Sequence, residues 1–127
     1  IVGIAAAPDF TDWGYTPEQR QSLIDTAKFE TPNPDGGPPM VTHARFVASG
    51  TAMRMLHSPI LINCPVRLVH GDKDEAVPVG VPFKLLDSIH SGDVQLTLIK
   101  WGKHRLSEPH EIEAILRTIA ILAERVS

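Results

Sequence analysis

Two short polar segments hold the side chains best suited to chemistry. Gly71-Asp72-Lys73-Asp74-Glu75-Ala76-Val77-Pro78 offers three closely spaced carboxylates, and Trp101-Gly102-Lys103-His104-Arg105-Leu106 offers an imidazole. A carboxylate beside an imidazole fixes the ring's tautomer and stabilises its protonated form, and the ring then takes the proton of a nucleophile. Asp72, Asp74 and Glu75 all compete for that acid role, and an Asp in such a turn often only bonds backbone amides. A divalent-ion site through His70, Asp72 and Asp74 has little support, because no second His or Cys cluster accompanies it. No metal and no cofactor are therefore expected. His43, His57, His90 and His110 fall in or beside expected helices without partner motifs and read as structural, whereas His70 reads as a strand-end residue that positions the acidic turn. Cys64, the single cysteine, lies in the apolar stretch 60–68 and is expected to be a small buried hydrophobe rather than a reactive thiol.

Both segments need elements that bring them together. Residues 65–70 read as a strand running into the acidic turn, and 94–99 as a half-buried strand running into the histidine loop. A helix over 82–90 connects them, with Phe83, Leu86 and Ile89 at helical spacing, and Ser91-Gly92 ends it. A final helix over 109–126 carries an apolar stripe of Ile112, Ile115, Leu116, Ile119, Leu122 and Val126. Strand, loop, helix, strand, loop, helix is a βαβ unit with a closing helix, and ligands bind beyond the carboxyl ends of such parallel strands. Both candidate loops leave from those ends. Upstream, Ile1–Ala7 reads as a fully buried parallel strand and implies that sheet neighbours are missing. Residues 9–63 interrupt the alternation and read as a lid or cap insertion. Within them, Thr16-Pro17-Glu18-Gln19 forms a capping box opening a helix over 17–28, 31–39 is a Pro- and Gly-rich loop, and a second helix covers 41–56.

The segment 70–78 resembles the H-G-x-x-D-x-x-V-P stretch of α/β-hydrolases, and Gly102-Lys103-His104 resembles their G-x-H loop. The order acid, then histidine, after successive strands is also theirs. The resemblance implies an α/β fold, the C-terminal part of an α/β-hydrolase with a mostly parallel sheet, flanking helices and an inserted helical lid. It assigns the triad acid to Asp74 and the triad histidine to His104, leaving Asp72 and Glu75 as turn or solvated carboxylates. Ser58-Pro59-Ile60, the run from Asn63 to Leu68, and His104-Arg105-Leu106 resemble more closely the mitochondrial abhydrolase-domain acyl-protein thioesterases and acyl-glucuronide esterases and their bacterial relatives, over most of residues 1–110. That implies hydrolysis of esters or thioesters with a sizeable acyl group.

One departure stands out. Those hydrolases carry their nucleophile in G-x-S-x-G on a strand-to-helix elbow, and none of the seven serines (Ser22, Ser49, Ser58, Ser88, Ser91, Ser107 and Ser127) lies in such a motif. The oxyanion-hole loops are likewise expected upstream. The nucleophile is thus expected from an upstream half or a second chain, and the 127 residues alone are expected to be inactive. A second reading is a catalytically inert, truncated hydrolase that serves as a binding or assembly module. Net charge is −3 and the twelve Lys and Arg are scattered, which argues against nucleic-acid or polybasic membrane binding. No apolar run reaches the roughly 18 residues of a membrane span, and the opening residues do not read as a signal peptide. The expected location is cytoplasmic, or the mitochondrial matrix for a eukaryotic parent.

Overall fold

The computed structural model describes residues 1–127. They form two compact units, one of residues 1–8 with 55–127 and the other of residues 9–54.

The larger unit is built on a parallel sheet. Strands β1 (Val2–Ile4), β4 (Val66–Gly71) and β5 (Val94–Ile99) lie in the order β1-β4-β5, with Gly3 opposite Leu68 and Gly71 opposite Ile99. Every residue of β4 is buried, as a central strand covered on both faces requires. Val66, Leu68 and Val69 supply its apolar side chains. Its two polar residues are both satisfied: Arg67 Nη1 donates to Asp93 Oδ1 at 2.9 Å, and His70 is bonded within the acidic turn described below. Helix α4 (Gly80–Ser88) joins β4 to β5 and buries Val81, Pro82 and Leu85. Val66, Leu68, Leu85 and Ile89 form the core, and Leu56, Ile60, Ile62 and Leu96 pack against it.

Helix α5 (Pro109–Val126) closes the unit, starting at a proline with a capping box between Glu108 and Glu111. Its expected stripe is real in periodicity but only partly covered. Leu122 is buried, whereas Ile112, Leu116, Ile119 and Val126 are exposed.

Three expectations for this unit are corrected. The first strand is three residues long rather than seven. Ala5 turns into the left-handed region (φ 46°) and ends the extended run, and the strand is part-buried rather than fully buried. The connecting helix ends at Ser88, since Ile89 becomes extended and bridges to Ile60. Cys64 is exposed, because the segment before β4 runs outside the core that Ile60 and Ile62 enter.

The smaller unit contains α1 (Phe10–Trp13), α2 (Pro17–Thr26), the hairpin strands β2 (Lys28–Thr31) and β3 (Met40–His43), and α3 (Ala44–Ala52). The capping box forms as the sequence dictates, with Gln19 N–H donating to Thr16 Oγ1 and Thr16 N–H to Gln19 Oε1. The hairpin was not expected. Its strands have four residues each, too few for a clear alternation, and the Pro- and Gly-rich stretch is the loop joining them. Helix α3 accordingly starts at Ala44, after β3 has used Met40–His43. An aromatic cluster holds the unit: Phe10 lies 5.6 Å from Phe46 and 6.3 Å from Tyr15, and Tyr15 lies 5.4 Å from the buried Phe29. Such pairs contribute about 0.5–1.5 kcal/mol each beyond area burial.

Candidate active site

β4 and β5 end side by side, and the loops that leave them are bonded to each other. Asp72 N–H donates to Ile99 O at 3.0 Å, and Lys73 N–H donates to Gly102 O at 2.9 Å. So close an approach needs two glycines. A Cβ on Gly71 would lie 2.2 Å from Gly102 O, and one on Gly102 would lie 2.9 Å from Gly71 Cα.

On this base the acidic turn folds around Asp74, whose side chain has no solvent exposure. Asp74 Oδ1 accepts from the amides of Ala76 and Val77, both at 2.8 Å. Asp74 Oδ2 faces His104 Nδ1 at 2.9 Å. Burial pushes this carboxyl up. The Val77 amide, the His104 ring and the Ala76 amide together outweigh that and hold it below its ordinary value of 3.8. It is therefore ionised at neutral pH and can only accept, so Nδ1 of His104 must donate. In the neutral ring Nε2 is then the basic nitrogen.

His104 itself is half-exposed and lines an open cavity of about 620 Å³ with Ala76, Trp101, Leu106, Ser107 and Glu111. Its loop is pinned at both ends by non-glycine residues in the left-handed region, Trp101 (φ 65°) and Leu106 (φ 46°). Such positions cost of order 1–3 kcal/mol each and persist only where the surroundings enforce them. Leu106 is held by burial, and Trp101 through its amide, which donates to Asp72 Oδ1 at 2.6 Å.

Of the sequence candidates, the structure joins Asp74 with His104. It places Asp72 on a backbone amide of the histidine loop and Glu75 in the cavity lining, without a bond to His104. His70 is buried with Nε2 3.0 Å from Val77 O, and a carbonyl can only accept, so Nε2 donates. The same nitrogen lies 3.4 Å from Asp74 Oδ2. His90 Nδ1 pairs instead with Asn63 Oδ1 at 2.7 Å, away from this site. No group of three or more His, Cys, Asp or Glu is placed to hold a metal ion, and His104 hydrogen-bonds to none of the serines. Sequence reasoning missed the paired glycines and the Asp72–Trp101 bond. The signal available was a glycine at the end of the first strand and another three residues past the second.

No protein-family model matches the chain. Among curated proteins it is similar to the mouse palmitoyl-protein thioesterase ABHD10, mitochondrial, with 45% identity over 73 residues, covering 58% of this chain and 25% of that protein. Among solved structures it superposes on alpha/beta hydrolase domain-containing protein 10 from mouse with a TM-score of 0.86 and 32% identity, covering 99% of this chain and 52% of that one. The chain carries the C-terminal half of an α/β-hydrolase fold. Est1E from Butyrivibrio proteoclasticus agrees at the level of fold alone, with a TM-score of 0.62 and 20% identity. The chain spans about a quarter of the length of the curated hydrolases it matches and about half of the solved ones. No helix in it is long and apolar enough to cross a membrane.

Proposed function

We propose that this chain supplies the acid and the histidine of a serine-hydrolase triad that cleaves carboxylic esters or thioesters, with Asp74 and His104 in those roles. One observation carries the proposal: a buried, ionised Asp74, fixed by two backbone amides, accepts a hydrogen bond from Nδ1 of a half-exposed His104 at the mouth of a cavity. Nε2 of His104 removes the proton of a serine hydroxyl as its oxygen attacks the acyl carbon. The imidazolium is stabilised by Asp74 and passes that proton to the departing thiolate or alkoxide. Water, deprotonated by the same nitrogen, then releases the acid and regenerates the serine. The thioesterase name of the mouse relative favours an acyl thioester as substrate, and its mitochondrial name favours the matrix for a eukaryotic parent. Residues 9–63 keep the reading as a lid or cap insertion that their sequence suggests.

We assign the nucleophile to a serine outside these 127 residues, on an upstream half or a second polypeptide. None of the seven serines has the elbow sequence or a bond to His104, and the solved hydrolase is about twice as long. The exposed apolar residues of α5 favour a second reading, in which the chain is an inert module that pairs with another polypeptide. Fluorophosphonate labelling with peptide mapping separates the two. In the full natural polypeptide carrying this sequence, one serine outside residues 1–127 should be labelled, and His104→Ala should slow labelling at least about 10²-fold. The 127 residues alone should stay unlabelled. Label on one of the seven serines would overturn the assignment of the nucleophile, and absence of any label with no turnover would favour the inert module.

A further inference from the structure

We propose that Asp72 is a positioning residue that sets the distance between His104 and Asp74 by holding the backbone of the histidine loop. The inference rests on the triad reading above. Besides the Asp74–His104 pair itself, Asp72 Oδ1 to Trp101 N–H is the side-chain bond that ties the acidic turn to the histidine loop, and at 2.6 Å it is short, as a charge-assisted bond is. Trp101 needs such a hold. Its φ of 65° is one a bulky residue leaves unless something fixes the peptide. The ring is gripped separately, with the ammonium groups of Lys73 and Lys100 at 5.8 and 5.4 Å from its centroid.

Gly102 and Lys103 alone separate this pinned peptide from His104. If the Trp101 peptide relaxes toward ordinary φ, the ring three residues on is carried away from Asp74 Oδ2. A displacement of about 1 Å in such machinery costs as much as 10²-fold in rate. The requirement on residue 72 differs in kind from that on residue 74. Trp101 N–H needs only an acceptor, which an asparagine oxygen provides, whereas His104 needs a carboxylate.

The test compares Asp72→Ala, Asp72→Asn and Asp72→Glu in the full natural polypeptide, by kcat and KM on a short-chain thioester and by hydrogen exchange at the Trp101 amide. Asp72→Ala should lower kcat roughly 10–100-fold with KM little changed. Its Trp101 amide should exchange at least about tenfold faster. Asp72→Asn should restore both values to near wild type. Asp72→Glu keeps the charge but carries the acceptor one methylene past the amide, so its kcat should also fall, and it serves if the alanine variant melts too low to assay. Full kcat in Asp72→Ala, or equal losses in Asp72→Ala and Asp72→Asn, would overturn the proposal. Should His104→Ala prove fully active, the triad reading fails instead, and the Trp101 exchange rates still decide whether Asp72 holds the loop.

Discussion

Asp74 shows how a buried carboxylate is kept charged and useful. Its two oxygens are divided between tasks: Oδ1 takes the two turn amides that fix its position, and Oδ2 is left for the ring. Asp93 is treated in a parallel way far from the site. The Arg67 hydrogen bond, opposed by burial and helped by Arg125 at 2.9 Å, holds its carboxyl below 3.8. Both acids have folded-state values depressed below their unfolded ones, so each contributes stability that is fully present above 3.8 and is lost as pH falls through the lower folded value. Urea midpoints taken from about pH 6 down to about pH 2 should hold steady and then fall through the acid range. Asp93→Asn should lower the neutral-pH midpoint, because it strips the countercharge from the buried Arg67, and should flatten part of the acid slope. An unchanged slope would remove Asp93 from this role. At this scale the sequence made the site legible only where a motif stood behind it. The pairing of Asp74 with His104 was readable from their flanking residues and chain order, whereas Asp72 looked like any turn aspartate because its partner amide lies 29 positions away.

At the scale of elements, regular periodicity translated well. The capping box at Thr16, the run of β4 and the whole of α5 follow from spacing and end signals. The hairpin did not, since four-residue strands give too little pattern and their pairing depends on contact with each other. The shortness of β1 was also hidden: the run Ile1–Ala7 carries no sign that Ala5 turns into the left-handed region. The strand ends teach a similar lesson, because Gly71 and Gly102 are explained only by each other. Gly71→Ala forces its Cβ into the Gly102 peptide, and overpacking of this kind costs about 1–3 kcal/mol. The urea midpoint should therefore drop, and activity of the full polypeptide should fall further than stability alone explains, because the two loops are pushed apart. A Gly71→Ala protein with wild-type midpoint and rate would show that the contact is not needed. Gly80→Ala, which meets nothing within 4 Å and starts helix α4, is the control and should lower neither.

Across the whole molecule, the sheet unit brings acid and histidine to adjacent strand tips, while much of the apolar stripe of α5 is exposed and β1 and β5 each pair with one neighbour. The helix stripe was legible as a stripe, but its exposure was not, because periodicity reports that a face is apolar and not what covers it. The proposed role of Asp74 is to orient His104 for proton transfer, a role no other carboxylate of the turn shares. It is tested most directly by kcat/KM for Asp74→Asn in the full natural polypeptide, on a short-chain thioester, beside Asp72→Asn and His104→Ala. An amide at residue 74 can donate to the ring and hold the wrong tautomer, which in a serine protease costs about 10⁴-fold in turnover. Asp74→Asn should thus lose about that much, His104→Ala at least as much, and the double variant little more than the worse single one, because triad members act as a unit. Near-wild-type kcat/KM in a folded Asp74→Asn protein, with Asp72→Asn crippled, would contradict it.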